Sequence, residues 1–331
     1  MKLNTNENPY PPPPSVVQAM RDASCEKLRL YPDPSCAALR QAIAERHNVE
    51  PSRTFAGNGS DEVLALAFGA FFEDAERAHA QPIVFPDVTY SFYPTFARLW
   101  NVPYGTAPLQ DDWTIRSDDY LAQCGGAVIA NPNAPTGIAL DPERLLEIAH
   151  FQARNNAVVI VDEAYADFGA DSVIPRLNSG AHDNILVVKT LSKSHSLAGL
   201  RVGYAVGSPQ LIAALERMRD SFNSYTLGAV AQAGAAAALR EGAYYERTIR
   251  AIVATRSRVS ADLIGRGFTV LPSSANFIFI KHPQLSGPQF LQRLRERRIL
   301  ARHFDAPRTA NHIRVTIGAD SDMDAFLDAC Q

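Results

Sequence analysis

A lysine near the middle of the chain has surroundings that could make it a nucleophile. The apolar run at residues 185–188 leads into a turn that carries Ser192 and Lys193, and Arg201 follows eight residues later. A lysine attacks near neutral pH only when partial desolvation favours its uncharged amine. A position at the end of a strand, beneath a bound small molecule, would provide that environment. Taken alone, Lys193 could also be a surface lysine in a loop.

An acid follows a second apolar run. Residues 158–161 are all apolar, Asp162 comes next, and Tyr165 lies three residues further on. Ligands of open α/β sheets bind at the carboxyl ends of the strands, and a buried carboxylate there requires a cationic partner. A protonated pyridine nitrogen is such a partner, and pyridoxal 5'-phosphate (PLP) needs this proton to act as an electron sink. The alternative is that Asp162 caps the next helix.

Two loops could complete a site for PLP. Residues 57–62, Gly-Asn-Gly-Ser-Asp-Glu, end a strand and begin a helix, and the free N–H groups there could bind a phosphate. Residues 131–137, Asn-Pro-Asn-Ala-Pro-Thr-Gly, form a rigid loop after another strand. A plain connector and an ordinary turn are the alternatives for these two loops. Together with the acid, they favour Lys193 as the residue that forms a Schiff base with PLP.

Other chemistries lack their residue patterns. HExxH, GxSxG and CxxC are absent, so no metal site is expected. The four cysteines, at positions 25, 36, 124 and 330, are scattered, which is typical of free thiols in a reducing compartment.

Charge and hydropathy narrow the class of protein. A net charge of -3 gives no reason to expect a nucleic-acid or membrane partner. The basic cluster at residues 293–302 is interpreted as a helix face and a strand, with a basic binding patch as the alternative. The apolar runs are far shorter than the ~20 residues of a membrane span, and the polar, proline-rich start is not a signal peptide. We therefore expect a cytoplasmic protein.

The elements that must position these groups alternate along the chain. Short apolar runs, most of them β-branched, are separated by helical patterns, and Asp141 before Pro142 is typical of a helix start. This alternation predicts a mostly parallel sheet covered by helices. Strands are predicted at residues 83–85, 127–130, 157–161, 185–188 and 201–206, and helices at 61–72, 141–155 and 208–222.

The pattern changes after about residue 225. Residues 225–263 are alanine-rich and predict one long helix or two helices separated at Gly242. Residues 9–14 are proline-rich and are predicted to be irregular. We expect a large domain at residues 36–222, and an N-terminal arm with a smaller α+β domain at residues 1–35 and 223–331. In that domain, strand, helix, strand and helix are predicted at residues 277–280, 288–298, 313–317 and 322–329.

In this order, the segments resemble the fold-type I PLP enzymes, and specifically the histidinol-phosphate aminotransferase family. The resemblance covers nearly the whole chain and is more specific for fold and cofactor than for substrate. It implies an α/β fold with a mostly parallel sheet in an α/β/α sandwich and a smaller α+β domain. The matching segments are residues 6–10, 31–34, 57–62, 86–93, 131–137, 162–165, 190–203, 274–277 and 313–318.

The resemblance also implies roles around the cofactor. Lys193 forms the Schiff base and moves the proton at the substrate α-carbon, Asp162 pairs with the pyridine nitrogen, and Tyr165 donates to the ring oxygen. Tyr90 stacks on the ring. The phosphate is held by Ser60, Asp61, Ser192 and Arg201, and by Tyr31 from a neighbouring subunit, which implies a homodimer.

On the substrate side, the resemblance assigns anion binding to Arg314, with Arg302 and Tyr10 beside it. One position departs from the family pattern, because Ala134 stands where the family has an asparagine that contacts the ring oxygen. Either Asn133 or Asn131 replaces it, or Tyr165 alone makes that contact.

The implied reaction is transamination in histidine biosynthesis. L-Histidinol phosphate and 2-oxoglutarate would exchange an amino group to give imidazole-acetol phosphate and L-glutamate. Two alternatives share the fold: an aromatic amino-acid aminotransferase and a threonine-phosphate decarboxylase. A PLP-binding regulator without turnover is a third, which the absence of an added DNA-binding region disfavours.

Overall fold

Two β-sheets organise the chain. A computed structural model describes residues 1–331, except for the side chain of Ser179. Within the described residues, the strands of the larger sheet are β1 (Thr54–Gly57), β2 (Ile83–Pro86), β3 (Tyr104–Ala107), β4 (Gly126–Ala130), β5 (Val158–Asp162), β6 (Ile185–Thr190) and β7 (Gly203–Val206). Those of the smaller sheet are β8 (Thr269–Val270), β9 (Phe277–Lys281), β10 (Arg302–His303) and β11 (His312–Thr316).

The larger sheet is mostly parallel, as predicted. Its strand order is β1-β7-β6-β5-β4-β2-β3. Strands β2 to β6 pair in parallel, whereas β7 is antiparallel to both of its neighbours. The carboxyl ends of β4, β5 and β6 therefore meet at one edge of the sheet. The smaller sheet is antiparallel, in the order β10-β11-β9-β8.

Helices cover both sheets. The sequence left open whether residues 225–263 form one helix or two, and the structure has two, separated next to Gly242. The α-helices of the described residues are α1 (Pro14–Ala23), α2 (Ala37–His47), α3 (Gly59–Phe71), α4 (Tyr93–Leu99), α5 (Pro142–Ala153), α6 (Pro209–Asp220), α7 (Ala229–Arg240), α8 (Gly242–Gly265), α9 (Gly287–Glu296) and α10 (Asp320–Ala329). Every helix in the described part of the chain is too short or too polar for a bilayer-crossing segment.

Successive side chains of the large sheet pack alternately into two separate hydrophobic cores, one on each face. Ile160 and Leu186 point to the face covered by α3, α4 and α6, while Val161 and Val187 point to the face covered by α1, α2, α5 and α7. Successive residues of a strand face opposite sides, so runs that are apolar throughout are required when helices cover both faces. The result is the predicted α/β/α sandwich.

A third core joins the smaller sheet to α8, α9 and α10. Ile278 and Ile313 of the sheet pack there with Phe290 and Phe326 of the helices. Helix α7 instead packs on α1 and α2. The domain division at residues 36–222 stays a prediction.

Candidate active site

A cavity of about 270 Å³ lies at the edge where β4, β5 and β6 end. The sheet topology brings to it side chains that are more than 250 residues apart in sequence. Nine residues predicted for the site line it: Ser60, Asp61, Tyr90, Asp162, Tyr165, Ser192, Lys193, Arg201 and Arg314.

The turn that carries Lys193 is held by hydrogen bonds close to the end of β6. Thr190 Oγ1 accepts from the backbone N–H of Ser192 at 3.1 Å, and the Asn8 side-chain amide donates to the carbonyl of Lys193 at 3.1 Å. The Lys193 amine donates to the carbonyl of Thr5 at 2.9 Å. No salt bridge involves Lys193 among the described residues, so its amine points into the cavity without a carboxylate partner.

Asp162 is a buried acid without a cation. Its carboxylate accepts from the Tyr93 hydroxyl at 2.9 Å and from the backbone N–H of Ala164 at 3.1 Å. None of the salt bridges found in the described residues includes it. Burial raises the pKa of Asp162 to about 6, although the bonds from Tyr93 and Ala164 oppose the shift. A cation brought by a ligand would reverse this cost.

Hydrogen-bond donors of the cavity lining are grouped at the start of α3. Helix α3 begins there, and Gly59 at its start has φ +83°. A Cβ atom at Gly59 would lie 2.5 Å from the guanidinium of Arg201, so glycine allows Arg201 to cross the helix start. Arg201 donates to Ser192 Oγ at 3.5 Å and pairs with the Asp61 carboxylate at 3.2 Å. A helix start beside an arginine is a site for a phosphate.

These residues fit PLP. Asp162 offers an unpaired carboxylate for a cationic ring nitrogen, and Lys193 offers an amine beside it. The Tyr165 hydroxyl accepts from the Asn6 side chain at 3.0 Å and keeps its own proton free to donate. The donors at the start of α3 suit the cofactor phosphate.

A second cavity, of about 200 Å³, adjoins the first and shares Thr5, Tyr90, Ala134 and Arg314 with it. We call it the anion cavity, because Arg302 and Arg314 both line it. These two residues are paired across β10 and β11. Both guanidinium groups lie over the Phe304 ring, at 5.4 and 5.5 Å from its centroid. The Arg314 Nε atom is buried and has no partner among the described residues.

Three predicted site residues line neither cavity. Asn133 is buried, where it accepts from Thr89 at 2.8 Å and donates to the carbonyl of Val88 at 2.9 Å. Tyr10 packs at the edge of the small-sheet core. Tyr31 is 81% exposed and stacks on Tyr225. Their roles stay predictions.

Three contacts of the site were not predicted. Tyr93 donates to Asp162, Asn6 donates to Tyr165, and the Thr5 carbonyl accepts from Lys193. Tyr93 is one helical turn from Tyr90, and this spacing could have indicated that both face the site. Asn6 belongs to a matched segment, yet no spacing in the sequence connects it with Tyr165.

Comparison with known proteins agrees with this geometry. Residues 1–330 match the family described as aminotransferase class I and II. The chain is 51% identical over 332 residues to histidinol-phosphate aminotransferase 1 of Bordetella parapertussis, covering 99% of this chain and 91% of that protein. It is also 51% identical over 333 residues to histidinol-phosphate aminotransferase 2 of Thiobacillus denitrificans, covering 99% and 90%.

The fold has a close counterpart among solved structures. The histidinol-phosphate aminotransferase of Sinorhizobium meliloti, solved in complex with pyridoxal-5'-phosphate, superposes with a TM-score of 0.88 at 24% identity. The match covers 99% of this chain and 89% of that one. The fold, the site and the family match together define a class I and II aminotransferase. Within that class, the chain belongs to the histidinol-phosphate aminotransferase family, as the sequence predicted.

Proposed function

We propose that this protein is a PLP-dependent aminotransferase of histidine biosynthesis, converting L-histidinol phosphate and 2-oxoglutarate to imidazole-acetol phosphate and L-glutamate. The observation that carries this proposal is the anion cavity, in which two arginines stand next to the cavity of Lys193 and Asp162. The two relatives that are 51% identical over nearly the whole chain support the substrate. Nothing in these relatives favours the aromatic aminotransferase or the decarboxylase.

Each side chain of the cavity would have a separate role in PLP-dependent transamination. PLP, when bound, supplies an electron sink for the charge that develops at the substrate α-carbon. Lys193 would hold the cofactor and then take up and return the proton at that carbon. Asp162 would pair with the ring nitrogen, while Tyr165 would donate to the ring oxygen. Five further predicted cofactor contacts line the same cavity, namely Ser60, Asp61, Tyr90, Ser192 and Arg201, whereas the predicted contacts Asn133 and Tyr31 do not line it.

The anion cavity has to accept two kinds of anion. Histidinol phosphate carries a phosphate, and glutamate carries a side-chain carboxylate. A guanidinium binds either through two parallel hydrogen bonds. Arg314, with a buried Nε that lacks a partner among the described residues, is placed to make such bonds, and Arg302 stands beside it.

We also propose a cytoplasmic homodimer in which Tyr31 reaches the neighbouring site. In support, Tyr31 is 81% exposed and stacks on the exposed ring of Tyr225, and Phe222, three residues before Tyr225, is also 81% exposed. Exposed aromatic rings grouped in this way are typical of interaction surfaces. Mixing Lys193→Ala with Tyr31→Ala protomers should restore activity, since one site of the heterodimer is then intact. If proven subunit exchange restores none, the sites are not shared.

A substrate panel with an arginine series tests the proposed function. Hydrogen bonds to charged groups contribute roughly 1.5–3 kcal/mol, so Arg314→Ala should lower kcat/KM by at least about tenfold for glutamate and histidinol phosphate. Arg314→Lys should recover only part, because an ammonium lacks the planar fork. The exposed Arg250→Ala is the matched control.

Unphosphorylated histidinol should be a poor substrate of the wild type, and Arg314→Ala should change its turnover little. If histidinol and histidinol phosphate react equally well, the phosphate is not recognised. The aromatic aminotransferase would then be the better assignment.

A further inference from the structure

The anion cavity is built from two walls that belong to different sheets. One wall is the segment after β2, which includes Tyr90 and Phe92. The other carries Arg302 and Phe304, at β10 of the smaller sheet. The width of the cavity therefore depends on contacts that hold one sheet against the other.

Arg308 makes such contacts from the loop between β10 and β11. Its guanidinium donates to the carbonyl of Leu109 at 2.9 Å and to that of Gln110 at 2.8 Å. It also pairs with Asp87 at 3.3 Å and lies 4.9 Å from the centroid of the Trp113 ring. One side chain of the loop between β10 and β11 thus reaches four groups in the segments that follow β2 and β3 of the larger sheet.

One of these partners, Asp87, belongs to the segment that forms the first wall of the anion cavity. Asp87 follows β2 immediately and precedes Tyr90 by three residues. Its carboxylate accepts from the backbone N–H of Leu109 at 2.9 Å and from Arg308, so it joins the first wall of the anion cavity to Arg308. Trp113 packs edge-on against His312, with 5.0 Å between ring centroids.

Arg308 is also connected to the second wall of the anion cavity, through hydrogen bonds within its own loop. The loop between β10 and β11 is closed by a hydrogen bond from Thr309 Oγ1 to the carbonyl of Phe304 at 3.0 Å. The His303 ring is 2.8 Å from the carbonyl of Ala310. A loop braced in this way transmits the position of Arg308 to Arg302 and Phe304.

We propose that Arg308 is a positioning residue for the anionic substrate. By holding Asp87, Leu109, Gln110 and Trp113, it sets the distance between the two walls of the anion cavity without lining that cavity. This inference rests on the proposed function, because it takes the anion cavity as the place where the substrate binds.

The arrangement predicts a specific kinetic pattern. Loosening the walls weakens substrate binding, whereas Lys193 and Asp162 stay in place at the end of the larger sheet. Arg308→Ala should therefore raise KM for histidinol phosphate about tenfold and change kcat by less than about threefold. Arg308→Lys should rescue little, since an ammonium cannot serve two carbonyls, a carboxylate and a ring together.

Arg258→Ala is the matched control. Arg258 is also partly exposed and pairs with two carboxylates, Asp320 and Asp324, but it lies on α8 away from the cavity. Two readouts independent of turnover complete the test: the affinity of the cofactor-free protein for PLP, and hydrogen–deuterium exchange of residues 87–92 and 302–311. In Arg308→Ala, the affinity for PLP should stay within about twofold, while exchange should accelerate in both segments.

The possible outcomes separate the two proposals. An unchanged KM with unchanged exchange overturns the role of Arg308, and so does a common loss of kcat, PLP affinity and thermal stability, which would indicate a general structural role. If the wild type does not convert histidinol phosphate at all, the proposed function is wrong. In that case the exchange in both segments, with KM for glutamate in the half-reaction, still decides whether Arg308 holds the walls.

Discussion

At the carboxyl ends of β5 and β6, each face of the larger sheet has an acid from the β5 end and a lysine from the β6 end. On the side away from the cavity, Lys189 donates to Asp167 at 2.9 Å and lies 3.5 Å from Glu163. On the cavity side, Asp162 and Lys193 each lack a charged partner among the described residues. The two acids, Asp162 and Glu163, are adjacent in sequence, and the two lysines, Lys189 and Lys193, are four residues apart. On one face of the sheet the acid and the lysine are paired, and on the other face they are not.

The paired side satisfies its charges within the chain. Burial raises the pKa of Glu163, although Lys189 opposes the shift. Burial would also raise the pKa of Asp167, but Lys189 and the hydrogen bond from Ser194 bring it below its ordinary value. Glu163 further accepts from the backbone N–H of Val173 at 2.9 Å. This cluster needs no ligand, and its role is structural.

The unpaired side keeps its binding capacity for a ligand. The raised pKa of Asp162 means that the folded chain alone holds this carboxylate at a cost. Perturbed acids of this kind are frequent at functional sites. Both faces carry the same residue types, so a buried charge without a partner is a better guide to the site than burial or residue type.

The largest effect should come from removing the unpaired lysine. Proton transfer by a positioned side chain contributes about 10²–10⁴-fold, so Lys193→Ala should reduce transamination by at least about a thousandfold. Covalent attachment of PLP, measured by borohydride reduction and mass spectrometry, should disappear. Lys281→Ala, which alters an exposed lysine, is the control. Retained covalent PLP in Lys193→Ala would assign the attachment to another amine.

Removing the paired lysine should affect stability. Lys189→Met leaves two carboxylates beside each other without their cation, and breaking a buried pair costs about 3–5 kcal/mol. We expect this loss in the free energy of unfolding, measured by denaturant titration of the cofactor-free protein.

In the double variant Lys189→Met/Glu163→Gln, part of the lost free energy of unfolding should be recovered, because the second substitution removes one of the two uncompensated carboxylates. Arg144→Met, which breaks an exposed pair with Glu147, should cost no more than about 1 kcal/mol. A loss equally small for Lys189→Met would show that the buried cluster contributes little to stability.

The smallest effect should have the opposite sign. Asp162→Asn removes an acid whose pKa rises from the ordinary 3.8 to about 6 on folding. Well below pH 3.8 the acid is protonated in both states and costs nothing. As the pH rises from about 4 to about 6, the unfolded state loses its proton while the folded state keeps it, so folding of the wild type weakens, and the full penalty is present above about pH 6.

In the cofactor-free protein, Asp162→Asn should therefore be more stable than the wild type by on the order of 1–3 kcal/mol at pH 8. The difference should shrink as the pH falls from about 6 and disappear only below the ordinary pKa of 3.8, as followed by thermal unfolding across pH. The same variant should bind PLP less tightly. A stability difference that does not change with pH would mean that Asp162 is not the titrating group.

Most of the fold could be predicted from local patterns. The runs that became β2, β4, β5, β6 and β7 are apolar, and the helices between them have clear starts, such as Asp141, which accepts from the N–H of Glu143. Strand β3, with the sequence Tyr-Gly-Thr-Ala, was missed because an edge strand is partly exposed and lacks an apolar run. Helix α1 was missed because it begins at the last proline of the run.

The site was predicted less completely. Lys193 and Asp162 were found because each follows an apolar run that predicts a strand, and the carboxyl end of a strand in a parallel sheet is where ligands bind. Asn133 was one of the residues that could contact the ring oxygen, and in the structure its side chain bonds to Thr89 and to the carbonyl of Val88 in the segment after β2, so this role stays a prediction. Such a choice between two sets of partners depends on side chains that are 44 residues or more apart.

The amino-acid sequence alone is enough to predict which side chains of a strand point to opposite faces of the sheet. In Val-Val-Ile-Val-Asp-Glu, the period of two places Asp162 and Glu163 on opposite faces as soon as the segment is a strand. Which of the two acids is neutralised depends instead on long-range packing. The pairing of Asp162 with Val188 sets Lys189 beside Glu163, and Arg308 meets Asp87 across 221 residues. Alternation is a property of the local backbone, whereas the partner of a charge depends on which strands and loops pack together.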